Sequence, residues 1–201
     1  MSKPSGQLRV VGGQHKGRKM QSPEGQDVRP TTDRVRESLF NILDHLVLTD
    51  RDGSPLRGAR VLDRFAGTGA LGLEALSRGA NEVWFVERSL TVQRLIKRNF
   101  AAVTGQDHLP SGIRIGDEGL LGLGNTSLRR PFDVIFCDPP YGFTDWEALV
   151  DGFDVANLVA KGTLLVTETD AKDSFPDLSA RWATLKDRAI GRTRVQVMQR
   201  S

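Results

Sequence analysis

The predicted strand Val61 to Phe65 runs directly into Ala66-Gly67-Thr68-Gly69-Ala70-Leu71-Gly72, and the residues from Ala70 to Arg78 carry a helical pattern. Gly67, Gly69 and Gly72 satisfy the spacing G-x-G-x-x-G at the point where a strand hands over to a helix. There, backbone NH groups and the helix dipole meet the negatively charged part of a ligand. Glu87 lies 20 residues beyond Gly67, at the end of the next predicted strand, Val83 to Glu87. An acidic side chain at that place accepts hydrogen bonds from ribose hydroxyls. Strand, glycine loop, helix and acid in this order call for a parallel sheet flanked by helices and a ligand that contains a nucleoside.

The alternation continues downstream. Helix Leu90 to Val103 is followed by strands Ile113 to Ile115 and Phe132 to Cys137, a helix from Trp146 to Phe153 and strand Thr163 to Glu168. Two further β-like runs, Ala183 to Ile190 and Thr193 to Gln199, meet at Gly191 and suit an antiparallel finish. Upstream, Pro30 and Thr31-Thr32-Asp33 start a helix whose apolar residues Val35, Leu39, Ile42, Leu43 and Leu46 repeat at helical spacing to about Leu48. Leu8 to Gly13 and Lys16 to Met20 read as a small β-hairpin. The division expected is a basic extension over 1–30 and an α/β domain over 31–201.

Asp63 decides between nucleoside ligands. Its carboxylate stands just before the glycine loop, where it would repel a dinucleotide pyrophosphate. S-adenosylmethionine carries an ammonium and a sulfonium beside its carboxylate, so an acid there suits it. The second chemical signal is Asp138-Pro139-Pro140-Tyr141, which follows the buried run Val134 to Cys137 at a strand's carboxyl end. An aromatic exocyclic amine is a poor nucleophile because its lone pair is delocalised into the ring. The Asp138 carboxylate and the Pro139 carbonyl are suited to accept its two NH groups and direct the lone pair outward. Tyr141 is placed to stack on the base, and Asp138 to take the released proton. A base that enters such a site must leave its stack.

Charge is unevenly distributed. The chain carries a formal +3, yet Lys3, Arg9, Lys16, Arg18 and Lys19 face no acid in the first twenty positions, which leaves −2 for the rest. No apolar face accompanies these cations, so a polyanion such as nucleic acid is favoured over a membrane. No stretch is apolar enough to span a bilayer or act as a secretory signal, and a cytoplasmic location is expected. Cys137 is the single cysteine, which excludes an internal disulfide, and His15, His45 and His108 have no zinc spacing; no metal is expected. Cys137 reads as a buried small hydrophobe, and Trp146 as helix packing ahead of a base-pocket residue.

These motifs together resemble the class I methyltransferases, and more closely the bacterial 16S ribosomal RNA (guanine-N2)-methyltransferases of the RsmD family. The resemblance runs over nearly the whole chain: Gly12-Gly13 with Lys16-Gly17-Arg18, Arg29-Pro30-Thr31-Thr32-Asp33-Arg34-Val35-Arg36-Glu37-Ser38-Leu39-Phe40-Asn41, Leu62-Asp63 with Phe65 to Ala80, and Asp138 to Tyr141. It implies a Rossmann-like seven-stranded α/β sheet with an antiparallel last strand and a small N-terminal β-hairpin. It further implies methyl transfer from S-adenosylmethionine to the N2 amine of a guanine, release of S-adenosylhomocysteine, and monomeric action on 16S ribosomal RNA within a 30S subunit. By motif position it assigns Asp63, Ala66, Gly67, Thr68 and Gly69 to the methionine end of the cofactor, Glu87 to the ribose and Asp117 to the adenine. Arg9, Lys16, Arg18, Lys19, Arg29, Arg34 and Arg36 are assigned to the RNA. Two positions depart from the pattern: Arg64, where an apolar residue is usual, and Glu118, where a small one is commoner. Arg64 therefore needs solvent or a carboxylate partner.

Other functions compete. An adenine-N6 DNA methyltransferase uses the same tetrapeptide chemistry, but the N-terminal residues leave little room for a sequence-reading domain. A nicotinamide oxidoreductase is disfavoured by Asp63, and an RNA-binding module without catalysis would have no use for the loop.

Overall fold

The computed structural model describes residues 8–23, 33–48, 53–121, 130–140 and 142–201. In chain order the elements are α1 (Asp33–Asp44), β1 (Arg60–Asp63), α2 (Ala70–Ser77), β2 (Glu82–Val86), α3 (Leu90–Thr104), β3 (Ile113–Gly116), a 3-10 turn (Glu118–Leu121), β4 (Val134–Cys137), α4 (Trp146–Val155), β5 (Leu164–Asp170), β6 (Trp182–Ile190) and β7 (Thr193–Arg200). They build one seven-stranded sheet in the order β3-β2-β1-β4-β5-β7-β6. The first five strands run parallel, and β7 lies antiparallel between β5 and β6. Among the described residues no helix is long and apolar enough to cross a membrane.

The central strands are buried on both faces, which is why they read as near-continuous apolar runs. Alternate residues feed two cores. Val61, Phe85, Val134, Phe136 and Val166 pack under α1, α2 and α3. Leu62, Trp84, Ile135, Cys137 and Leu165 face α4. Arg60 is buried at the start of β1, between the rings of Trp84 and Phe132 and 3.0 Å from Glu82. One boundary differs from expectation. The first helix stops at Asp44, four residues short of Leu48, where Asp44 turns aside to pair with Arg78 and Ser54. The residues expected to start that helix, Pro30, Thr31 and Thr32, lie outside the described residues.

The N-terminal hairpin is clamped to the domain. Arg9 and Lys19 form its antiparallel bridge, flanked by hydrogen bonds from Val10 N to Arg18 O and Met20 N to Leu8 O. Leu8, Val10 and Met20 belong to the same core as α1 and α2. One face of α2 grips its turn: Glu74 accepts from Val11 N at 2.7 Å, Ser77 Oγ donates to Gly12 O at 2.6 Å, and Arg78 bonds back to Glu74 at 2.8 Å. The approach is so close that a Cβ on Gly13 would lie 2.0 Å from the Ser77 carbonyl oxygen, and Gly13 also has φ of +72°. Glu74 is fully buried. Glu74→Ala leaves the Val11 NH and the Arg78 guanidinium without it, so we expect a loss of about 3–5 kcal/mol in urea unfolding. A loss below about 1 kcal/mol would mean that the clamp carries little of the stability.

Candidate active site

Because β3, β2, β1 and β4 are parallel neighbours, their carboxyl ends share one edge of the sheet. Each delivers an acid there: Asp117 after β3, Glu87 after β2, Asp63 closing β1 and Asp138 after β4. The residues expected at the site are thereby brought together, with the glycine loop Ala66 to Gly69 between the ends of β1 and α2 and Pro139 behind Asp138. Tyr141 lies outside the described residues.

Gly67 N donates to Glu87 Oε2 at 3.2 Å, Gly69 N to Ala66 O at 2.6 Å, and Gly72 N to Asp63 Oδ2 at 2.9 Å. The NH groups of the three motif glycines are thus engaged by the chain's own oxygens. Gly69 caps α2 in a left-handed conformation with no side chain to bond the helix NH groups, and the Asp63 carboxylate serves instead, at the positive end of the helix. Gly72 is required for a different reason. A Cβ there would come within 2.3 Å of the Phe85 ring, so only glycine lets α2 lie this close to β2. Glu87 also accepts from Ser89 N at 2.9 Å, which fixes the carboxylate between the loop and the start of α3.

Asp63 is wholly enclosed, and burial pushes its pKa up to about 7; the Gly72 NH opposes that rise, and the carboxylates of Asp138 and Glu87 add to it. A buried acid among acids favours a proton or a cationic ligand. The fit is good for a molecule bearing an ammonium and a sulfonium and poor for a pyrophosphate. Cys137, one residue before Asp138, is buried, and its thiol is pushed well above the ordinary range by desolvation, so it is no nucleophile.

An aromatic cluster runs from the residue after Arg64 to the segment beyond the tetrapeptide. Phe65 meets Phe143 edge-on at 5.5 Å, Phe143 meets Trp146 at 5.2 Å, and Trp146 meets Phe175 at 4.9 Å. Trp146 is buried in helix packing, as the sequence reading preferred. The two departures from the family pattern resolve each other: one terminal nitrogen of Arg64 lies 2.6 Å from both carboxylate oxygens of Glu118. Asp117 beside it is exposed, with Oδ1 accepting from Gly119 N at 2.8 Å.

Of the cations assigned to nucleic acid, Arg9, Lys16, Arg18, Lys19 and Arg34 are exposed, whereas Arg29 lies outside the described residues. Arg9 additionally reaches Asp33 at 3.1 Å. Arg36 is a correction. It is fully buried, donating to Arg9 O at 2.7 Å and to Asp33 Oδ1 at 2.6 Å, so its charge joins the hairpin to α1 rather than facing a phosphate.

Sequence reasoning missed Asn99. This fully buried side chain on α3 donates to Thr68 O at 2.9 Å and to Gln21 O at 3.0 Å, and accepts from Gln21 N at 2.8 Å. It therefore holds the glycine loop and the chain leaving the hairpin with one amide. A signal existed: Asn99 stands on the apolar stripe of α3 with Leu95, Ile96, Phe100 and Val103, where a polar residue must find partners.

Residues 8–199 match the family described as Conserved hypothetical protein 95. The chain is 31% identical to the Ribosomal RNA small subunit methyltransferase D of Escherichia coli K12, over 100% of this chain and 96% of that protein. It is 32% identical to the protein of the same name from Haemophilus influenzae, over 92% of this chain and 90% of the other. Its fold superposes on the solved structure of the yhhF protein of Escherichia coli with a TM-score of 0.75 at 31% identity, covering 98% of this chain and 99% of that one.

Proposed function

This chain belongs to the family described as Conserved hypothetical protein 95, and from that premise we propose that it methylates ribosomal RNA of the small subunit, at the exocyclic N2 amine of a guanine, with S-adenosylmethionine as donor. The observation that carries the reading is the glycine loop whose NH groups are held by Asp63 and Glu87, set beside Asp138-Pro139 at the end of β4. The names of the curated relatives support ribosomal RNA as the substrate.

The donor supplies an electrophilic methyl group; this chain supplies everything that places the amine. Asp63 and the Ala66 to Gly69 backbone hold the methionine end, Glu87 takes the ribose hydroxyls and Asp117 the adenine amine. Asp138 accepts one NH of the target amine through its carboxylate, and Pro139 accepts the other through its carbonyl. Both prolines of the turn lack an NH of their own, so the turn presents acceptors only. Holding both NH groups localises the nitrogen lone pair, and Asp138 then removes the proton as the N–C bond forms. Tyr141 covers the face of the base. The mobile part of the problem is the RNA, which must present an unstacked guanine; Arg9, Lys16, Arg18, Lys19, Arg29 and Arg34 bind its phosphates.

The test is transfer of tritiated methyl from S-adenosylmethionine to unmethylated 16S RNA, naked and within 30S particles, with duplex DNA as control. Label recovered as N2-methylguanosine is the expected product. Label on DNA adenine would replace this reading with the adenine-N6 alternative, and no label on any substrate would overturn methyl transfer. The hairpin has its own signature. Neutralising Arg9, Lys16, Arg18 and Lys19 together should flatten the salt dependence of RNA affinity by about 0.7 per lost phosphate contact. An unchanged slope would take the hairpin out of the RNA interface.

A further inference from the structure

Arg64 and Glu118 lie 54 residues apart, on the loops that follow β1 and β3, and meet across the end of β2. The contact is asymmetric. The Arg64 side chain is 12% exposed and the Glu118 side chain 65%, so a nearly enclosed cation reaches out to a surface carboxylate. Arg64 is held from below: its NH donates to Phe136 O at 2.9 Å and its guanidinium rests 4.8 Å from the centre of the Phe65 ring. Phe65 in turn is packed on Phe143, just past the tetrapeptide. Glu118 opens the 3-10 turn immediately after Asp117, and the carboxylate of Asp117 is folded back on Gly119 N. The pair therefore joins the segment between β1 and the glycine loop, anchored to β4 and to Phe65, to an exposed one that carries Asp117.

We propose that Arg64 is a positioning residue whose ion pair with Glu118 ties the β3 loop down over the nucleoside half of the cofactor and so sets cofactor affinity. This rests on the assignment of S-adenosylmethionine to the site. The tie acts on binding: it orders the loop before the ligand arrives, so the ligand does not bear the cost of ordering it. It leaves the acceptors around the target amine untouched.

The full-length protein is compared with Glu118→Ala, Arg64→Met and the double variant. Methionine at 64 keeps an apolar stem on Phe65, and Glu118 is a surface residue whose replacement spares the fold. The expected result is a rise of about five-fold in Kd and KM for S-adenosylmethionine in Glu118→Ala, with kcat at saturating donor and KM for RNA unchanged. The advantage of the wild type over Glu118→Ala should shrink at high salt. In the Arg64→Met background Glu118→Ala should have no further effect, because the interaction is already gone. An unchanged KM in Glu118→Ala overturns the tie, as does an equal rise in both backgrounds. Failure of the wild type itself to bind S-adenosylmethionine would instead overturn the functional reading, and this one with it.

Discussion

Asp138→Asn should lower methyl transfer by roughly a thousand-fold or more while leaving the affinity for S-adenosylmethionine within a few-fold. The asparagine keeps the size and one acceptor oxygen of Asp138 at the end of β4, but it replaces a carboxylate by a neutral amide. The amide cannot take the proton that leaves the target amine, and its one neutral oxygen accepts the amine NH more weakly than a carboxylate does. In the proposed function the cofactor contacts belong to the neighbouring ends of β1 and β2, where Asp63 and Glu87 hold the glycine loop, so the donor should still bind. Single-turnover transfer alongside calorimetric titration separates the two effects. Turnover at the wild-type rate would remove Asp138 from the mechanism; loss of donor binding would move it into the cofactor site.

Asp63→Asn should act on stability and cofactor binding in opposite directions, and with a defined pH dependence. The folded-state pKa of Asp63, about 7, lies above the ordinary 3.8. A raised acid stabilises the fold while it is protonated, and that contribution is lost as pH climbs from the ordinary carboxyl range through the folded pKa. Between about pH 5.5 and about pH 8 the unliganded protein should lose roughly 2 kcal/mol through Asp63, and Asp63→Asn should lose none of it. A cationic ligand on the ionised carboxylate reverses the sign. Binding of S-adenosylmethionine near neutral pH then releases a proton, and wild-type affinity rises from about pH 6 to about pH 7.5. In Asp63→Asn affinity should fall about ten-fold or more and become flat with pH. Urea unfolding at several pH values tests the first half, and calorimetry in two buffers of different ionisation enthalpy tests the second. Parallel pH profiles for the two proteins would show that Asp63 does not titrate in this range.

Both effects depend on residues that the amino-acid order already marked out. Asp63, the glycine spacing, Glu87 and Asp138-Pro139 were legible because their meaning lies in their place relative to a strand end, and strand ends follow from short apolar runs such as Val83 to Val86 and Val134 to Cys137. The order β3-β2-β1 follows from right-handed crossovers through α2 and α3, and the chain then returns from β3 to pair β4 with the free side of β1. It is this order that gathers acids from four separate segments.

Other roles were not legible for a uniform reason. Arg36 sits in a run of charged residues that reads as an RNA-facing surface, yet it is fully buried against the carbonyl of Arg9. Its neighbour Arg34 is exposed. They stand two positions apart on the helix, with only Val35 between them, and which one turns inward depends on where the hairpin lands. Glu74, Ser77 and Arg78 look like ordinary helix polarity until the hairpin lies against them.

By itself, then, the sequence determined an α/β sheet, a glycine loop between strand and helix with an acid just before it, and a proline turn at the end of β4 that offers acceptors and no NH of its own. These are local matters of period, spacing and charge within a few residues. Tertiary structure decided the partners: Asp63 for the α2 terminus, Asn99 for Thr68 and Gln21, Arg36 for the hairpin, Arg64 for Glu118. A charged or polar side chain can be satisfied by any complementary group within reach, and only the folded chain brings one such group, from 54 residues away in the case of Arg64, into contact.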